Sequence, residues 1–358
     1  MKFTKALLVL EDGTAFEGYS LGKVGETVGE LVIYTGVVGY QEVVTDPSYG
    51  GTLVVFSYPI IGSYGVNDED NETSSVQANG LVIKEYSQHY SNFRAKGPFD
   101  EFLSTREGVG IQDIDTRAVS VHVRKHGEMK AVISSTDTNH TSLLEKLKSM
   151  PSPFSINLVE KLVPAKAMEP VGEASHRIAI IDLGAKSSLL LQLAQLGCSV
   201  TMLNQHAGAD QVMKERPEGV IISGGPGDPH TLNGVSETVG ALLGKVPVLG
   251  IGLGHQVLAM ALGCKVKRMK LGHHAVNIPV RELPSGKCSI TTQHHSYVVE
   301  ADSLPNSVEV AFENLDDKTV EGVRSKKHVA WSVQFHPHPN GVDEPAEVLR
   351  RFLAEAKS

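Results

Sequence analysis

The chain has 358 residues, 41% of them hydrophobic and 21% charged, with 35 glycines and 17 prolines. That length fits two domains, each large enough for its own core, and the composition excludes a disordered or fibrous chain. A formal net charge of -8 without any basic cluster argues against a nucleic-acid partner. No apolar run approaches the ~20 residues that cross a bilayer. The start Met1-Lys2-Phe3-Thr4-Lys5 also lacks a signal peptide's apolar core, so no membrane partner and a cytoplasmic location are expected.

The first half alternates short apolar runs with turn residues: Ala6 to Leu10 before Glu11-Asp12-Gly13-Thr14, then Leu31 to Tyr34, then Leu53 to Phe56. These predict the strands of a β-rich domain over residues 1–150. Periodicity lapses around Met150-Pro151-Ser152-Pro153 and again from Pro164 to Ser175, so residues 151–174 read as a linker. From 175 to 358 apolar strands alternate with helical stretches: Ile178 to Ile181 before Ser187 to Leu196, Gly219 to Ile222, and Val246 to Leu249 before His255 to Leu262. Strand, helix, strand in that order predicts an α/β domain on a doubly wound parallel sheet, whose ligands bind at the carboxyl ends of strands.

Two glycine-rich turns fall at such ends. Ser223-Gly224-Gly225-Pro226-Gly227-Asp228-Pro229 lets backbone N–H groups approach a ligand, although a tight turn alone explains it equally well. Gly250-Ile251-Gly252-Leu253-Gly254-His255-Gln256 ends a strand and opens a helix, the elbow that holds a nucleophile above a sheet. At its tip stands Gly252, which has no nucleophile. A dinucleotide turn is disfavoured, because G-x-G-x-x-G needs glycine where His255 stands and no acidic residue follows about twenty positions on.

These residues resemble the class I glutamine amidotransferases, and specifically the small chain of carbamoyl-phosphate synthase. In the second half the resemblance lies in the two turns, Lys270-Leu271-Gly272-His273-His274 and Phe335-His336-Pro337. In the first half it lies in Gly39-Tyr40-Gln41-Glu42, Thr45-Asp46-Pro47-Ser48-Tyr49, Tyr58-Pro59 through Gly62 to Asn67, Ser91-Asn92-Phe93-Arg94 and Asp113-Ile114-Asp115-Thr116-Arg117. The resemblance implies a cysteine at the elbow that attacks glutamine, a histidine that shuttles the proton and a glutamate that orients the histidine. Here those positions hold Gly252, His336 and His338, so only His336 matches.

By the same resemblance Ser48, Gly225, Gly227, Leu253, Gln256, Ser296 and Tyr297 occupy glutamine-binding positions. The backbone groups of Gly225 and Leu253 are the implied oxyanion donors. The family's Gln-Asn-His-Gly-aromatic run reads Gln293-His294-His295-Ser296-Tyr297, so affinity for L-glutamine is expected to be weakened or lost. The implied partner is the large synthase subunit, which would carry ATP and Mg, with no cofactor in this chain. Two functions follow: a subunit of an ammonia-using synthase, or a glutamine-sensing regulatory module.

Other features have simpler explanations. His336 with His338, His294-His295 and His273-His274 are pairs, short of the three or four ligands of a metal site, and no metal is assigned. Cys198, Cys264 and Cys288 form no C-x-x-C and read as reduced thiols, and Cys264 would lie ~18 Å beyond Gly252 along a helix. Asp115 or Thr116 reads as a helix cap, Lys265 to Lys270 as an exposed strand, and Trp331 as core.

Overall fold

The computed structural model describes residues 4–163, 175–338 and 346–356. The chain divides into two compact units, one of residues 1–158 with 270–274, the other of residues 159–269 with 275–358. Within the segment expected to be a linker, Pro153–Ser155 forms a 3-10 turn and Leu158–Leu162 a short helix, while 164–174 fall outside the described residues.

In the first unit β1 (Lys5–Leu10), β2 (Ala15–Gly22), β3 (Glu26–Tyr34), β4 (Thr52–Phe56), β5 (Gly80–Val82), β6 (Val109–Gln112) and β7 (Met129–Ser134) close into a barrel. Their order is β1-β2-β6-β5-β4-β3-β7. Closure removes the unpaired strand edges of an open sheet. Leu8, Leu10, Leu31, Leu53, Val55, Ile111 and Ile133 are fully buried in one cluster with Val119 and Val123. The last two come from the helix α3 (Thr116–His126), which the unit holds along with α1 (Tyr40–Thr45), α2 (Phe99–Thr105) and α4 (His140–Ser149). Of the two cap candidates it is Asp115 that caps α3, its carboxylate accepting the Ala118 N–H at 2.9 Å.

The pair His273-His274 sits in a stretch that joins this unit. Glu128 N–H donates to Lys270 O at 3.0 Å, and the Glu128 carboxylate takes the Gly272 N–H at 2.7 Å and meets His274 Nε2 at 2.8 Å. His274 is therefore a hydrogen-bonded core residue.

The second unit is built on one nine-stranded sheet. Its strands are β8 (His176–Asp182), β9 (Cys198–Asn204), β10 (Gly219–Ile222), β11 (Val248–Ile251), β12 (Val266–Glu282), β13 (Cys288–Val299), β14 (Val308–Asn314), β15 (Val320–Ser325) and β16 (Ala330–Val333), in the order β9-β8-β10-β11-β16-β15-β13-β12-β14. From β9 to β16 all neighbours are parallel. Beyond β16 the pairings are antiparallel, and β14 also pairs with β15. The expectation of a parallel sheet thus holds for five strands and is corrected for the rest. The charged-apolar alternation of Val266 to Lys270 is the mark of a half-solvated antiparallel strand, which a fully covered parallel strand does not show.

Helices α5 (Ser187–Gln195), α6 (Ala209–Lys214), α7 (Asn233–Leu242), α8 (Leu253–Ala261) and α9 (Glu347–Ala356) complete the unit. Alternation along β8 sends Ala179 and Ile181 to a core with Val239, Leu242 and Leu258, and Ile178 and Ile180 to another with Leu193, Leu349, Phe352 and Trp331. Each fully buried aliphatic side chain contributes about 1.5–3 kcal/mol. None of the described helices is long and apolar enough to cross a membrane.

Candidate functional site

Three adjacent parallel strands, β10, β11 and β16, deliver their carboxyl-end loops to the same end of the sheet. After β10 comes the Ser223 turn, after β11 the elbow, and after β16 the segment Gln334-Phe335-His336. Gly254 N–H donates to Ser223 O at 3.1 Å, which stitches the two glycine turns together.

The elbow keeps an unusual backbone. Gly252 has φ 58° and ψ -115°, immediately ahead of α8. Its N–H donates to Val333 O at 3.0 Å and its carbonyl accepts from His255 N–H at 3.1 Å. The glycines around it are required by packing. A Cβ on Gly250 would lie 2.5 Å from Gly254 O, one on Gly254 2.1 Å from Ile222 O, and one on Gly225 1.9 Å from Leu183 O.

Gly252 differs. A Cβ there would meet Gly224 Cα at 3.4 Å, Gln334 O at 3.9 Å and His336 Cε1 at 3.9 Å, which are ordinary contacts. The space for a side chain exists, and it faces the imidazole. Leu253, the first residue of α8, has an N–H that its own helix does not use, at the positive end of the helix dipole.

His336 is pinned by its N–H to Thr292 O of β13 at 3.0 Å and is buried. Burial, followed by the charges of Lys186, His338 and His295, holds its pKa well below the ordinary histidine value. The neutral ring is therefore favoured. His338 is exposed, and together with His336, Trp331 and Phe335 it lines a cavity of about 240 Å³ beside α9.

Gln256 is buried, and its Nε2 donates to Tyr297 O and to Gln334 Oε1, each at 3.0 Å. Ser296 and Tyr297 are buried on β13. Gly227 has φ +91°, a conformation that favours glycine. Ser48 belongs to the first unit, in the 3-10 turn Pro47–Tyr49. There its N–H donates to Asp46 Oδ1 at 2.8 Å, and its buried hydroxyl has no partner among the described residues.

Several residues escaped sequence reasoning. Lys186 precedes α5 and acts on His336 from 150 positions away, so no local pattern could reveal it. Gln334 completes the Gln256 contact, and His255 Nδ1 lies 2.7 Å from Ser332 Oγ beneath the elbow. Burial lowers the His255 pKa to about 3. A buried polar partner leaves no periodic signature.

Comparison with known proteins agrees with this architecture. The family described as carbamoyl-phosphate synthase small chain, CPSase domain, matches residues 8–133, and glutamine amidotransferase class-I matches residues 179–356. A carbamoyl phosphate synthase small chain of Akkermansia muciniphila is 40% identical over 97% of this chain and 96% of its own. One from Aquifex aeolicus is 42% identical over 98% of this chain and 99% of its own.

Proposed function

This chain belongs to the carbamoyl-phosphate synthase small-chain family, and from that premise we propose that it completes a synthase by docking on the large subunit while no longer hydrolysing glutamine itself. The tip of the elbow carries this conclusion. Backbone, helix N-terminus and neutral His336 are arranged as for a nucleophile, and Gly252 supplies none. A cysteine at that place would have its thiol pKa lowered by the helix, and the Leu253 N–H would face the oxyanion. Without the nucleophile, a triad of this kind loses about 10⁶ in kcat, the magnitude measured in a serine protease.

Among the described residues neither buried cysteine substitutes for it. Burial raises the Cys198 and Cys264 thiols to about 11, so both stay protonated at neutral pH. His338 works against a protonated His336, where a carboxylate would stabilise an imidazolium. The large subunit, holding ATP and Mg, would then take bicarbonate and free ammonia to carbamoyl phosphate for arginine or pyrimidine synthesis, in the cytoplasm. This chain would hold no cofactor.

The test is carbamoyl-phosphate formation by the chain with its large subunit, supplied with glutamine or ammonium chloride, and repeated with Gly252→Cys. Ammonia alone should support the unmodified pair, and Gly252→Cys should add a small glutamine-dependent rate. Robust glutamine-dependent synthesis by the unmodified pair would sink the proposal. A second reading, a glutamine-sensing regulatory subunit, is supported by the intact glycine turns and the ordered Gln256. Calorimetry showing no glutamine binding to the chain removes it.

A further inference from the structure

We propose that the carboxyl end of helix α3 and the turn between β1 and β2 form a site for one divalent transition-metal ion of the imidazole-preferring class, with zinc the first candidate, held by His122, His126 and Asp12. The site lies in the first unit and does not depend on whether glutamine is turned over.

The helix supplies two ligands. His122-Val123-Arg124-Lys125-His126 ends α3, and residues four apart share one helix face. The two rings stack with centroids 4.5 Å apart and planes inclined by 21°. Two imidazolium charges that close would repel, so at neutral pH at least one ring keeps a lone pair to offer. Histidines at this spacing on a helix are the arrangement that grips zinc in H-E-x-x-H sites.

The turn supplies the third ligand. His122 Nε2 lies 2.6 Å from Asp12 Oδ2 and 3.5 Å from Thr14 Oγ1. A proton bridges the imidazole and the carboxylate, and a tetrahedral zinc ion in its place, with bonds of about 2.0–2.2 Å, would set the two atoms roughly 3.3 Å apart. His126 is exposed and has no hydrogen-bond partner among the described residues, so its ring can turn to close the site.

The frame around these ligands is fixed. Asp12 Oδ1 accepts the Thr14 N–H at 2.9 Å, Leu10 N–H donates to Thr14 O at 2.8 Å, and Gly13 N–H donates to Leu10 O at 2.9 Å. His140 Nε2 meets Gly13 O at 2.8 Å from the start of α4. Helix α3 is anchored by fully buried Val119 and Val123. Ordering on binding therefore falls mainly on His126, which keeps its cost low. The His122 and Asp12 side chains are 20% and 34% exposed, so an ion reaches them from solvent.

Charge favours a cation here. His126 is the last residue of α3, at the negative end of the helix dipole, and the Asp12 carboxylate neutralises one of the ion's two charges. Lys125 opposes it from the adjoining position, while Arg124 stands about 200° round the helix from His122. Two nitrogens and one oxygen suit zinc, leave its fourth position to water, and lack the sulfur that selects copper(I). The ion would clip α3 to the β1–β2 turn, a structural role apart from synthase chemistry.

Zinc titration of the full chain against a chromophoric chelator tests this, with His126→Asn, Asp12→Asn and zinc-edge X-ray absorption of the bound ion. The parent should bind one zinc with nitrogen and oxygen donors alone. Each substitution should weaken that binding about tenfold or more, since even an outer-shell partner is worth that much to a metal. Asparagine at position 12 can still accept the Thr14 N–H, and His126 is exposed, so both variants should fold; melting without zinc checks this. Should one fail to fold, the other decides. No zinc bound, sulfur in its shell from exposed Cys288, or an unchanged affinity in either folded variant overturns the inference.

Discussion

Gly250 and Gly254 flank the elbow, and Gly252 forms its tip, yet the same residue type answers to different forces. At the flanks an added Cβ would press to 2.5 Å and 2.1 Å against backbone carbonyls, and at the tip the nearest atom is 3.4 Å away. The flanks are glycine because the helix must pass close to the strand ends. Space does not demand glycine at the tip. The backbone of the elbow and the residue at its tip are therefore separable: packing holds the flanking glycines, and the tip carries a residue without a side chain.

Substitution at a flank should have the largest effect. Gly254→Ala must displace the β10 backbone at Ile222, and a loss of about 3 kcal/mol or more is expected. Urea denaturation would read it, and a midpoint within error of the parent would break the distinction between flanks and tip.

The underside of the elbow should answer to pH. The His255 pKa is about 3 in the fold and about 6.5 unfolded. The unfolded chain therefore binds the extra proton first, and stability falls as pH drops from about 6.5 toward 3. The slope is about 1.4 kcal/mol per pH unit for this group. Melting temperatures between pH 7 and 4 should decline less in His255→Gln, and identical slopes would show that the ring is not held neutral.

A smaller loss is expected for Gln256→Leu, which removes the donor to Tyr297 O and Gln334 Oε1. Unpaired buried acceptors cost about 1–3 kcal/mol. Gly252→Ala should cost about 1–3 kcal/mol, all of it from a backbone at φ 58° and ψ -115° and none from crowding. If calorimetric melting shows it to be as damaging as Gly254→Ala, space at the tip is not what the contacts indicate.

Much of this was legible beforehand. Period-two and helical patterns placed β8, α5, β10 and α8 within a few residues, and both glycine turns fell at strand ends as read. A cap at Asp115 or Thr116 was expected, and the structure puts it at Asp115. The antiparallel extension was half visible in Val266 to Lys270 and escaped notice because alternation reports exposure of one face and says nothing of strand direction.

The sequence by itself determined the local conformations and the absence of a side chain at position 252, since both depend on residue identity and near neighbours. Tertiary structure alone decided which glycines are sterically required, that Lys186 and His295 act on His336, that His274 is locked to Glu128, and that Thr291 orients Gln293 toward His295. These are contacts between residues far apart along the chain. Hydrogen bonds and steric exclusion act over a few ångströms of space, and local periodicity carries no record of distances that only folding creates.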